Sequence, residues 1–438
     1  MQNFLVEPSR PALKTEISVP GDKSISHRAV MLGSIADGLS VIHHFLPGED
    51  CLATINAMRD MGVSIEGPFD NNEVRVHGVG KYGLKNPQSI LQLGNSGTSM
   101  RLLAGLLAGH GVTAILEGDE SLMSRPMKRV IDPLIYMGAQ ISCHEDGCAP
   151  ILIQRPKQRL SGLQFQSEVP SAQVKSAILL AGLYADGETS VTEPILTRDH
   201  TERMLTSFGY PIIREENTTR LMGGGRLTGT EIYVPGDISS AAFFLVGAAM
   251  TPGVELLIKE VGVNPARMGI LSILWEMGAH ITVENMRMFN NEPIADLRVQ
   301  GAQLKGITIP TAQIPLAIDE FPAIFIAAAS ASGVTTLRGA KELRLKESDR
   351  IMAMATGLTT LGIAAEPLDD GIVIHGGNVK GGKVDSFGDH RIAMAFAIAG
   401  FISSEPILIE NCQAVATSFP GFVEIAKQTG LDMSIEDK

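Results

Sequence analysis

Six segments of the sequence share one layout, and this repeat constrains the fold more than any other feature. Each segment has a polar turn, a helix rich in small apolar residues, and a glycine or polar stop. A strand-like run and a second helix follow, so the 438 residues divide into units of about 73 residues. A repeat of helix, strand, helix and strands predicts a mixed α/β fold of six small units. The six first helices are predicted within 19–38, 93–111, 169–187, 234–253, 317–333 and 387–405.

The second helices of the six units all end in glycine. Glycine adopts a left-handed conformation at little cost, and that conformation is common just after the last helical residue. We therefore expect a positive φ at each of these glycines, which are Gly62, Gly138, Gly209, Gly278, Gly362 and Gly430.

The repeat also predicts how the chain divides. The first helices are apolar nearly all round, which is typical of buried helices, and six units packed around them would form two lobes of three. The strand-like "ALKTEISV" at 12–19 has no unit of its own. We expect an N-terminal lobe of residues 20–235 and a C-terminal lobe of residues 1–19 and 236–438. A one-dimensional solenoid is the alternative, and the two-lobe form is favoured because the charged residues cluster at one end of the repeated helices.

The composition excludes several classes of protein. The net charge is −12 and aromatic residues make up 5% of the sequence, which argues against general nucleic-acid binding. Four cysteines indicate a reducing compartment, and the sequence lacks the Cys-x-x-Cys or His-x-x-x-His spacing of a structural zinc site. The apolar runs at 241–250 and 392–402 are shorter than the roughly 18–20 residues that span a bilayer. We therefore expect no metal, no membrane segment and no signal peptide.

Charged and polar residues are scarce in the first helices, yet they gather at helix N-terminal turns. A helix N-terminus carries about half a positive charge, so cations there are disfavoured unless an anion lies nearby. Free N–H groups at a helix N-terminus bind phosphate and carboxylate, and arginine adds a bidentate donor pair. We expect a site for a small molecule with several negative groups, formed by residues from both halves of the chain. These residues are Lys23, Ser24, Arg28, Asn95, Gly97, Arg125, Ser171, Gln173, Arg198, Asp319, Lys346, Glu347, Arg350, Asp389, His390 and Arg391.

Some of the charged residues also have a simpler interpretation. Asp22 and Asp319 are of the type that caps a helix N-terminus. The glycine-rich "GNSGTSM" lacks the lysine of a nucleotide-binding loop. The cations expected to be half-solvated surface residues are Arg101, Lys128, Arg129 and Lys175.

Nine segments in one order carry a resemblance to a known family. They are "PGDKSISHRA", "LGNSGTSMRLL", "SRPM", "SAQVKSAILLAGL", "TRDHTE", "IDEFP", "ELRLKESDR", "DHRIAM" and "ATSFP". Together they resemble the 5-enolpyruvylshikimate-3-phosphate (EPSP) synthases along essentially the whole chain. The resemblance implies two lobes of three βαβαββ units and a reaction that joins phosphoenolpyruvate to the 5-hydroxyl of shikimate 3-phosphate, with release of phosphate. It implies no metal or organic cofactor and a place in the cytoplasm on the route to chorismate, and we expect a monomer.

The resemblance also implies roles for individual residues. Asp319 is implied on the side of the acceptor hydroxyl and Glu347 on the side of the methylene carbon, with Lys23 as a third catalytic residue. The residues implied for shikimate 3-phosphate are Lys23, Ser24, Arg28, Ser171, Ala172, Gln173, Arg198, Asp319 and Lys346. The residues implied for phosphoenolpyruvate are Lys23, Asn95, Gly97, Arg125, Gln173, Arg350, His390 and Arg391.

Two positions depart from the pattern expected for this family. Many members carry a lysine before "TFP" near the C-terminus, whereas this sequence has Thr417 in "VATSFPGF". A cation for the leaving phosphate is therefore missing or supplied elsewhere. The forms "NSGTSMRLL" and "ATSFP" resemble a branch noted for tolerance to glyphosate, an inhibitor that occupies the phosphoenolpyruvate site. That tolerance is associated with a bulkier residue in place of Gly97, so we expect glyphosate still to bind with shikimate 3-phosphate present.

Two other functions stay open at this point. The enolpyruvyl transferase that acts on UDP-N-acetylglucosamine shares the fold. It typically has a reactive cysteine just before its catalytic-loop arginine, and the corresponding "DESLMSRPM" has none. A non-catalytic repeat protein that binds anionic metabolites or partners would need no proton-transfer pair.

Overall fold

The computed structural model of the protein describes residues 2–9 and 12–437, and its helices and strands follow the predicted repeat. The α-helices are α1 (Lys23–Ile35), α2 (Glu49–Asp60), α3 (Gly97–His110), α4 (Glu120–Met123), α5 (Lys128–Tyr136), α6 (Ala172–Gly182), α7 (His200–Ser207), α8 (Ile238–Ala249), α9 (Gly269–Glu276), α10 (Ile314–Ala317), α11 (Phe321–Ser330), α12 (Arg350–Thr360), α13 (His390–Ile398), α14 (Val415–Ser418) and α15 (Phe422–Gln428). Short 3-10 helices span Pro265–Arg267, Thr311–Gln313, Lys341–Leu345, Ala399–Phe401 and Cys412–Ala414. The strands are β1 (Gln2–Val6), β2 (Lys14–Ser18), β3 (Asp37–His43), β4 (Ser64–Glu66), β5 (Val74–Val79), β6 (Leu91–Gln92), β7 (Ala114–Glu117), β8 (Gln140–Ser142), β9 (Ile151–Gln154), β10 (Gln164–Gln166), β11 (Glu188–Thr192), β12 (Ile213–Glu215), β13 (Thr218–Met222), β14 (Glu231–Tyr233), β15 (Glu255–Gly262), β16 (His280–Phe289), β17 (Glu292–Gln300), β18 (Val334–Leu337), β19 (Ala365–Leu368), β20 (Gly371–His375), β21 (Gly382–Asp385), β22 (Ile407–Glu410) and β23 (Met433–Asp437).

The first helices of the repeat are buried, as their apolar sequences predict. Every residue of α8 is buried, and so are most residues of α1, α3, α6, α11 and α13. Several begin at a residue whose side chain accepts a backbone hydrogen bond, such as Ser96 Oγ from the Ser99 amide (3.1 Å). Within residues 2–9 and 12–437, no helix combines the length and the apolar character needed to cross a membrane.

The predicted left-handed glycines at the ends of the second helices are confirmed. All six have a positive φ, from 78° at Gly209 to 96° at Gly138. Each stop lets the chain turn back towards the strands that complete the unit.

Six small sheets occur in the described part of the chain, and most of them repeat one strand pattern. In the sheet ordered β10-β11-β13-β12, β10 runs parallel to β11, whereas β13 is antiparallel to both β11 and β12. Val191 of β11 therefore lies opposite Phe165 on one side and Thr219 on the other. The other sheets have the orders β14-β3-β5-β4, β6-β7-β9-β8, β16-β17-β15-β2, β18-β20-β19 and β21-β22-β1-β23.

The chain forms two compact units. The N-terminal unit comprises Gly21–Val234 and Met288–Glu292, and the C-terminal unit comprises Met1–Pro20, Pro235–Arg287 and Pro293–Lys438. Strand β2 pairs in parallel with β15 in the C-terminal unit, and β14 pairs in parallel with β3 in the N-terminal unit.

The segment Met288–Glu292 is grouped differently from the division expected from the sequence, which placed all of 236–438 in one lobe. Glu292 Oε1 lies 2.7 Å from Nδ1 of His200, and Arg203 donates a hydrogen bond to the backbone oxygen of Asn291 (2.6 Å). These long-range contacts assign the turn to the N-terminal unit.

Helices α3 and α6 approach each other closely at a glycine. A Cβ atom built on Gly105 would lie 2.2 Å from the carbonyl oxygen of Ala177. The absence of a side chain at position 105 therefore sets the distance between the helices that carry Gly97 and Gln173.

We expect Gly105→Ala to destabilise the protein, because the added methyl group would force α3 and α6 apart. Overpacking of this kind costs about 1–3 kcal/mol, and differential scanning calorimetry should show a melting temperature lowered by several degrees. Gly377→Ala is the matched control, since its nearest neighbour would be Ile363 Cδ1 at an ordinary 3.5 Å. Equal melting temperatures for the two variants would contradict the close approach.

Candidate active site

Arg28 lies in the second turn of α1 and is buried. Its Nε donates a hydrogen bond to Thr201 Oγ1 (2.7 Å), its Nη2 to Ser176 Oγ (2.9 Å) and its Nη1 to the backbone oxygen of Ser24 (2.8 Å). All three acceptors are uncharged, so these hydrogen bonds orient the guanidinium without neutralising it.

Arg198 is a second cation of the same cluster. Burial lowers the pKa of Arg28 to about 10, and the positive charge of Arg198 adds to the shift. Arg28 nevertheless stays protonated at neutral pH. Two cations that repel each other in a buried cluster favour the binding of an anion, because the anion relieves the repulsion.

Lys23 is the first residue of α1, and its Nζ lies 3.0 Å from Oδ2 of Asp50. The side chains of both residues are partly accessible, so this ion pair stands at the border with solvent. Asp22 Oδ1 accepts a hydrogen bond from the Ile25 amide (2.9 Å), which confirms Asp22 as the helix cap.

Asn95, Gly97 and Arg125 are brought together at the start of α3. Arg125 Nη2 donates to Asn95 Oδ1 (2.5 Å) and to Ser121 Oγ (3.1 Å), and Asn95 Nδ2 donates to Asp119 Oδ2 (2.7 Å). A Cβ atom on Gly97 would lie 3.3 Å from Nη1 of Arg125. The guanidinium thus borders the first amides of a helix, an arrangement suited to a carboxylate or a phosphate.

Ser171, Ala172 and Gln173 form the start of α6. Ser171 Oγ accepts a hydrogen bond from the amide three residues later (3.4 Å), and Ala172 is buried beside it. Gln173 accepts from Nη1 of the partly exposed Arg101 (2.8 Å) and donates to Thr98 Oγ1 (3.1 Å). The Gln173 amide is therefore held at both ends by α3.

Lys175 is not the half-solvated surface residue that the sequence suggests, and that expectation is wrong. Its side chain is 2% exposed, with Nζ 2.7 Å from Glu193 Oε2 and 2.9 Å from Glu202 Oε1. Burial alone would lower the pKa of Lys175, but the two carboxylates outweigh it and raise the pKa. Lys128 and Arg129 are exposed, as expected.

In the C-terminal unit, the buried Arg350 begins α12. Its Nε lies 2.8 Å from Asp389 Oδ2, and its Nη2 lies 2.6 Å from Glu347 Oε2. Burial lowers the pKa of Arg350, but the surrounding carboxylates, Asp389 foremost, outweigh it and raise the pKa. Arg350 therefore stays charged and holds Glu347 by one oxygen.

Asp319 lies within the same cluster. Its Oδ1 is 3.3 Å from Nζ of Lys346 and 3.8 Å from Nη1 of Arg350, and its backbone oxygen accepts a hydrogen bond from Arg391 Nη1 (3.0 Å). The N-cap residue of α11 is Glu320, so Asp319 is not the cap of that helix.

Two further positions that the sequence singles out, His390 and Thr417, lie in helices α13 and α14 of the C-terminal unit. His390 is the first residue of α13 and is buried. Thr417 lies in α14, where its Oγ1 donates to the backbone oxygen of Ala414 (2.7 Å). Position 417, where the family resemblance leads us to expect a lysine, thus carries an uncharged hydroxyl group.

The arrangement of Asp319 and Glu347 is suited to proton transfer. Their side chains are 15% and 22% exposed, and each carboxylate lies against a cation. Two accessible carboxylates in one cluster can take a proton from one substrate atom and return a proton to another.

The sequence interpretation missed the residues that hold this machinery in place. Asp389 was named only as a polar residue at a helix start, yet it is fully buried and also accepts a hydrogen bond from Ser348 (3.1 Å). Glu202 lies on the buried face of α7 with Leu205. A charged residue on the apolar face of a helix predicts a buried residue of opposite charge nearby. Nothing local marks Glu193.

Among the described residues, no group of three or more His, Cys, Asp or Glu side chains is arranged to hold a metal ion. Cys51 and Cys412 are buried, and Cys143 and Cys148 are partly exposed.

The chain matches known proteins over nearly its whole length. A family model described as EPSP synthase (3-phosphoshikimate 1-carboxyvinyltransferase) matches residues 8–425. The 3-phosphoshikimate 1-carboxyvinyltransferase of Legionella pneumophila (strain Corby) is 58% identical over 426 residues, which cover 97% of this chain and 98% of the relative. The protein of the same name from Methylococcus capsulatus is 58% identical over 423 residues, which cover 97% and 96%.

A solved structure shows the same likeness in three dimensions. EPSP synthase from Acinetobacter baumannii is 54% identical to this chain, with a TM-score of 0.89 over 100% of both chains. The chain therefore belongs to the EPSP synthase (3-phosphoshikimate 1-carboxyvinyltransferase) family.

Proposed function

We propose that the protein transfers the enolpyruvyl group of phosphoenolpyruvate to the 5-hydroxyl of shikimate 3-phosphate and releases phosphate. The observation that carries the proposal is the cluster of two accessible carboxylates, Asp319 and Glu347, each against a cation. Membership of the family and the names of the relatives support both substrates.

The proposed binding roles follow the clusters described above. Arg28 and Arg198 supply positive charge for shikimate 3-phosphate, and Asp319 and Lys346 contact its hydroxyls. The other residues proposed for this substrate are Lys23, Ser24, Ser171, Ala172 and Gln173.

Phosphoenolpyruvate carries a carboxylate and a phosphate, and arginine recognises both groups bidentately. Arg125 borders the first amides of α3 beside Asn95 and Gly97, which supports a role in binding one of these groups. The remaining residues proposed for this substrate are Lys23, Gln173, Arg350, His390 and Arg391.

The proposed chemistry is an addition followed by an elimination. The 5-hydroxyl oxygen bonds to C2 of phosphoenolpyruvate and loses its proton, while the methylene carbon gains one. The tetrahedral intermediate then loses phosphate from C2 and a proton from the new methyl group, which restores the double bond. Asp319 serves the hydroxyl and Glu347 the carbon, while Lys23 and the arginines stabilise the charge on the departing phosphate.

We further propose that the two compact units are the two lobes of three repeat units each, and that the protein is a cytoplasmic monomer that glyphosate inhibits. Sedimentation equilibrium tests the monomer, and fractionation of the source cells tests the compartment.

Transfer to UDP-N-acetylglucosamine is the weaker alternative. The relevant stretch has no cysteine, and although Cys148 Sγ lies 3.4 Å from the backbone oxygen of Ser124, burial raises the pKa of that thiol. A raised pKa disfavours the thiolate that acts as the nucleophile.

Phosphate release decides among these functions. We expect release when phosphoenolpyruvate and shikimate 3-phosphate are supplied together, and none with either alone. Release with UDP-N-acetylglucosamine as the acceptor, or with neither acceptor, would overturn the proposal.

We expect Asp319→Asn and Glu347→Gln each to lower kcat by at least about 10²-fold, because general acid–base groups contribute about that much. Binding of shikimate 3-phosphate, measured by calorimetry, should be largely kept. Glu366→Gln, at an exposed position of the same unit, is the control and should retain full activity. A smaller loss in both site variants would make the acid–base assignment wrong.

We expect Gly97→Ala to weaken the binding of glyphosate more than the binding of phosphoenolpyruvate. The added Cβ would lie 2.7 Å from Nη1 of Arg101 and 3.3 Å from Nη1 of Arg125, so it narrows the space beside both guanidinium groups. The inhibition constant for glyphosate, measured with shikimate 3-phosphate present, should rise by a larger factor than the KM for phosphoenolpyruvate. An unchanged inhibition constant would contradict this expectation.

A further inference from the structure

A buried ion triad lies next to the residues that hold Arg28 in the N-terminal unit. The proposed reaction gives this triad no role. The triad consists of Lys175, Glu193 and Glu202, and each of these side chains is at most 2% exposed. Two carboxylates share one ammonium group, so the triad carries a formal charge of about −1 in a place that solvent does not screen.

The triad joins three parts of the chain. Lys175 belongs to α6, Glu202 belongs to α7, and Glu193 begins the connection that leads from β11 to α7. Thr197, in that connection, donates from Oγ1 to Glu193, and its backbone oxygen lies 3.5 Å from Lys175 Nζ. Because Arg198 is the next residue, the triad fixes the segment that carries this cation.

The same two helices hold Arg28 through adjacent residues. Ser176 follows Lys175, Thr201 precedes Glu202, and Thr201 Oγ1 donates to Ser176 Oγ (2.7 Å). Arg28 donates to both hydroxyls, at 2.7 and 2.9 Å. The ion pair between Lys175 and Glu202 therefore sets the spacing of the two hydroxyls that orient Arg28.

The triad also controls the charge that Arg28 presents. Glu202 acts on Arg28 electrostatically, although the hydrogen bonds described for the Arg28 guanidinium go to uncharged oxygens. Lys175, which Glu202 shares with Glu193, offsets part of the charge of Glu202. Without that ammonium group, a buried carboxylate would be left uncompensated near Arg28 and would compete with an anionic ligand for its guanidinium.

We infer that Lys175 is a positioning residue for the phosphorylated acceptor. It holds Arg28 and Arg198 in place and keeps Glu202 from neutralising Arg28. This inference rests on the proposed function, in which both arginines bind shikimate 3-phosphate.

The test begins with Lys175→Met, which keeps the length of the side chain and removes its charge. We expect the KM and the calorimetric Kd for shikimate 3-phosphate to rise at least about tenfold, as the loss of one partner from a buried charged contact implies. The KM for phosphoenolpyruvate should change by less than about threefold. Lys383→Met is the matched control, because it breaks an exposed ion pair with Glu410 (2.9 Å) and should leave both KM values unchanged.

A second change separates positioning from simple loss of stability. Adding Glu202→Gln to Lys175→Met removes the freed carboxylate, so affinity for shikimate 3-phosphate should recover by at least about threefold over the single variant. Glu193→Gln keeps the pair between Lys175 and Glu202 and should fold if the first variant does not. It should raise the KM for shikimate 3-phosphate by at least about threefold, because its hold on the Thr197 segment weakens.

The outcomes are distinguishable from failure of the proposed function. If the unmodified protein does not release phosphate from the two substrates, the proposed function is wrong. If the unmodified protein does release phosphate, two results for the folded variants would make the positioning role wrong. One is an unchanged KM and Kd for shikimate 3-phosphate, and the other is an equal loss of affinity for both substrates.

Discussion

The candidate site residues of the C-terminal unit depend on one buried ion pair, between Arg350 and Asp389. Removing two such charges from water costs several kcal/mol per ion, and their attraction offsets this only when the geometry is good. Asp389 meets that condition, since it accepts from Arg350 at 2.8 and 3.3 Å and from the Arg391 amide at 2.9 Å. Once Arg350 is fixed, its other nitrogens hold Glu347 and lie near Asp319. The geometry of the two proposed proton-transfer groups thus follows from a pair whose carboxylate, Asp389, takes no direct part in the proposed chemistry.

The N-terminal unit fixes its buried arginine in a different way. Arg28 is held by hydroxyl and carbonyl oxygens, and the ion pairs lie one layer behind it, around Lys175. A guanidinium that is oriented by uncharged acceptors keeps its positive charge available for a ligand. A guanidinium that is paired with a buried carboxylate has a charge that is already largely neutralised. Arg28 therefore differs from Arg350, because its own hydrogen bonds go to uncharged oxygens and leave the charge of its guanidinium available to a ligand.

The features predicted correctly from the sequence are the local ones. Gly62 ends its helix through its own backbone conformation, with a positive φ. Asp22 caps α1 by accepting a hydrogen bond from the amide three residues later. The motifs also predict candidate site residues, because polar residues near helix starts stand out against apolar helices, and their roles stay a prediction. Lys175 was misjudged because its burial is decided by carboxylates in other elements. The grouping of Met288–Glu292 with the N-terminal unit was not foreseen, because a hairpin turn does not reveal its long-range contacts.

The helix dipole disfavours cations at the start of a helix. In this protein the positive charge is balanced either by a buried carboxylate or by a partly exposed one. The charge of Arg350 is balanced within the protein, because its partner Asp389 is fully buried. Lys23 at the start of α1, and Lys346 just after the 3-10 helix Lys341–Leu345, face carboxylates that are 10% and 15% exposed. An anionic ligand can therefore compete for these two ammonium groups. The exposure of the partner therefore separates the cations whose carboxylate a ligand can displace from Arg350, which keeps its ion pair with Asp389 while it contributes to the proposed phosphoenolpyruvate site. An acidic chain of net charge −12 can thus keep a few positive groups available without losing them to its own carboxylates.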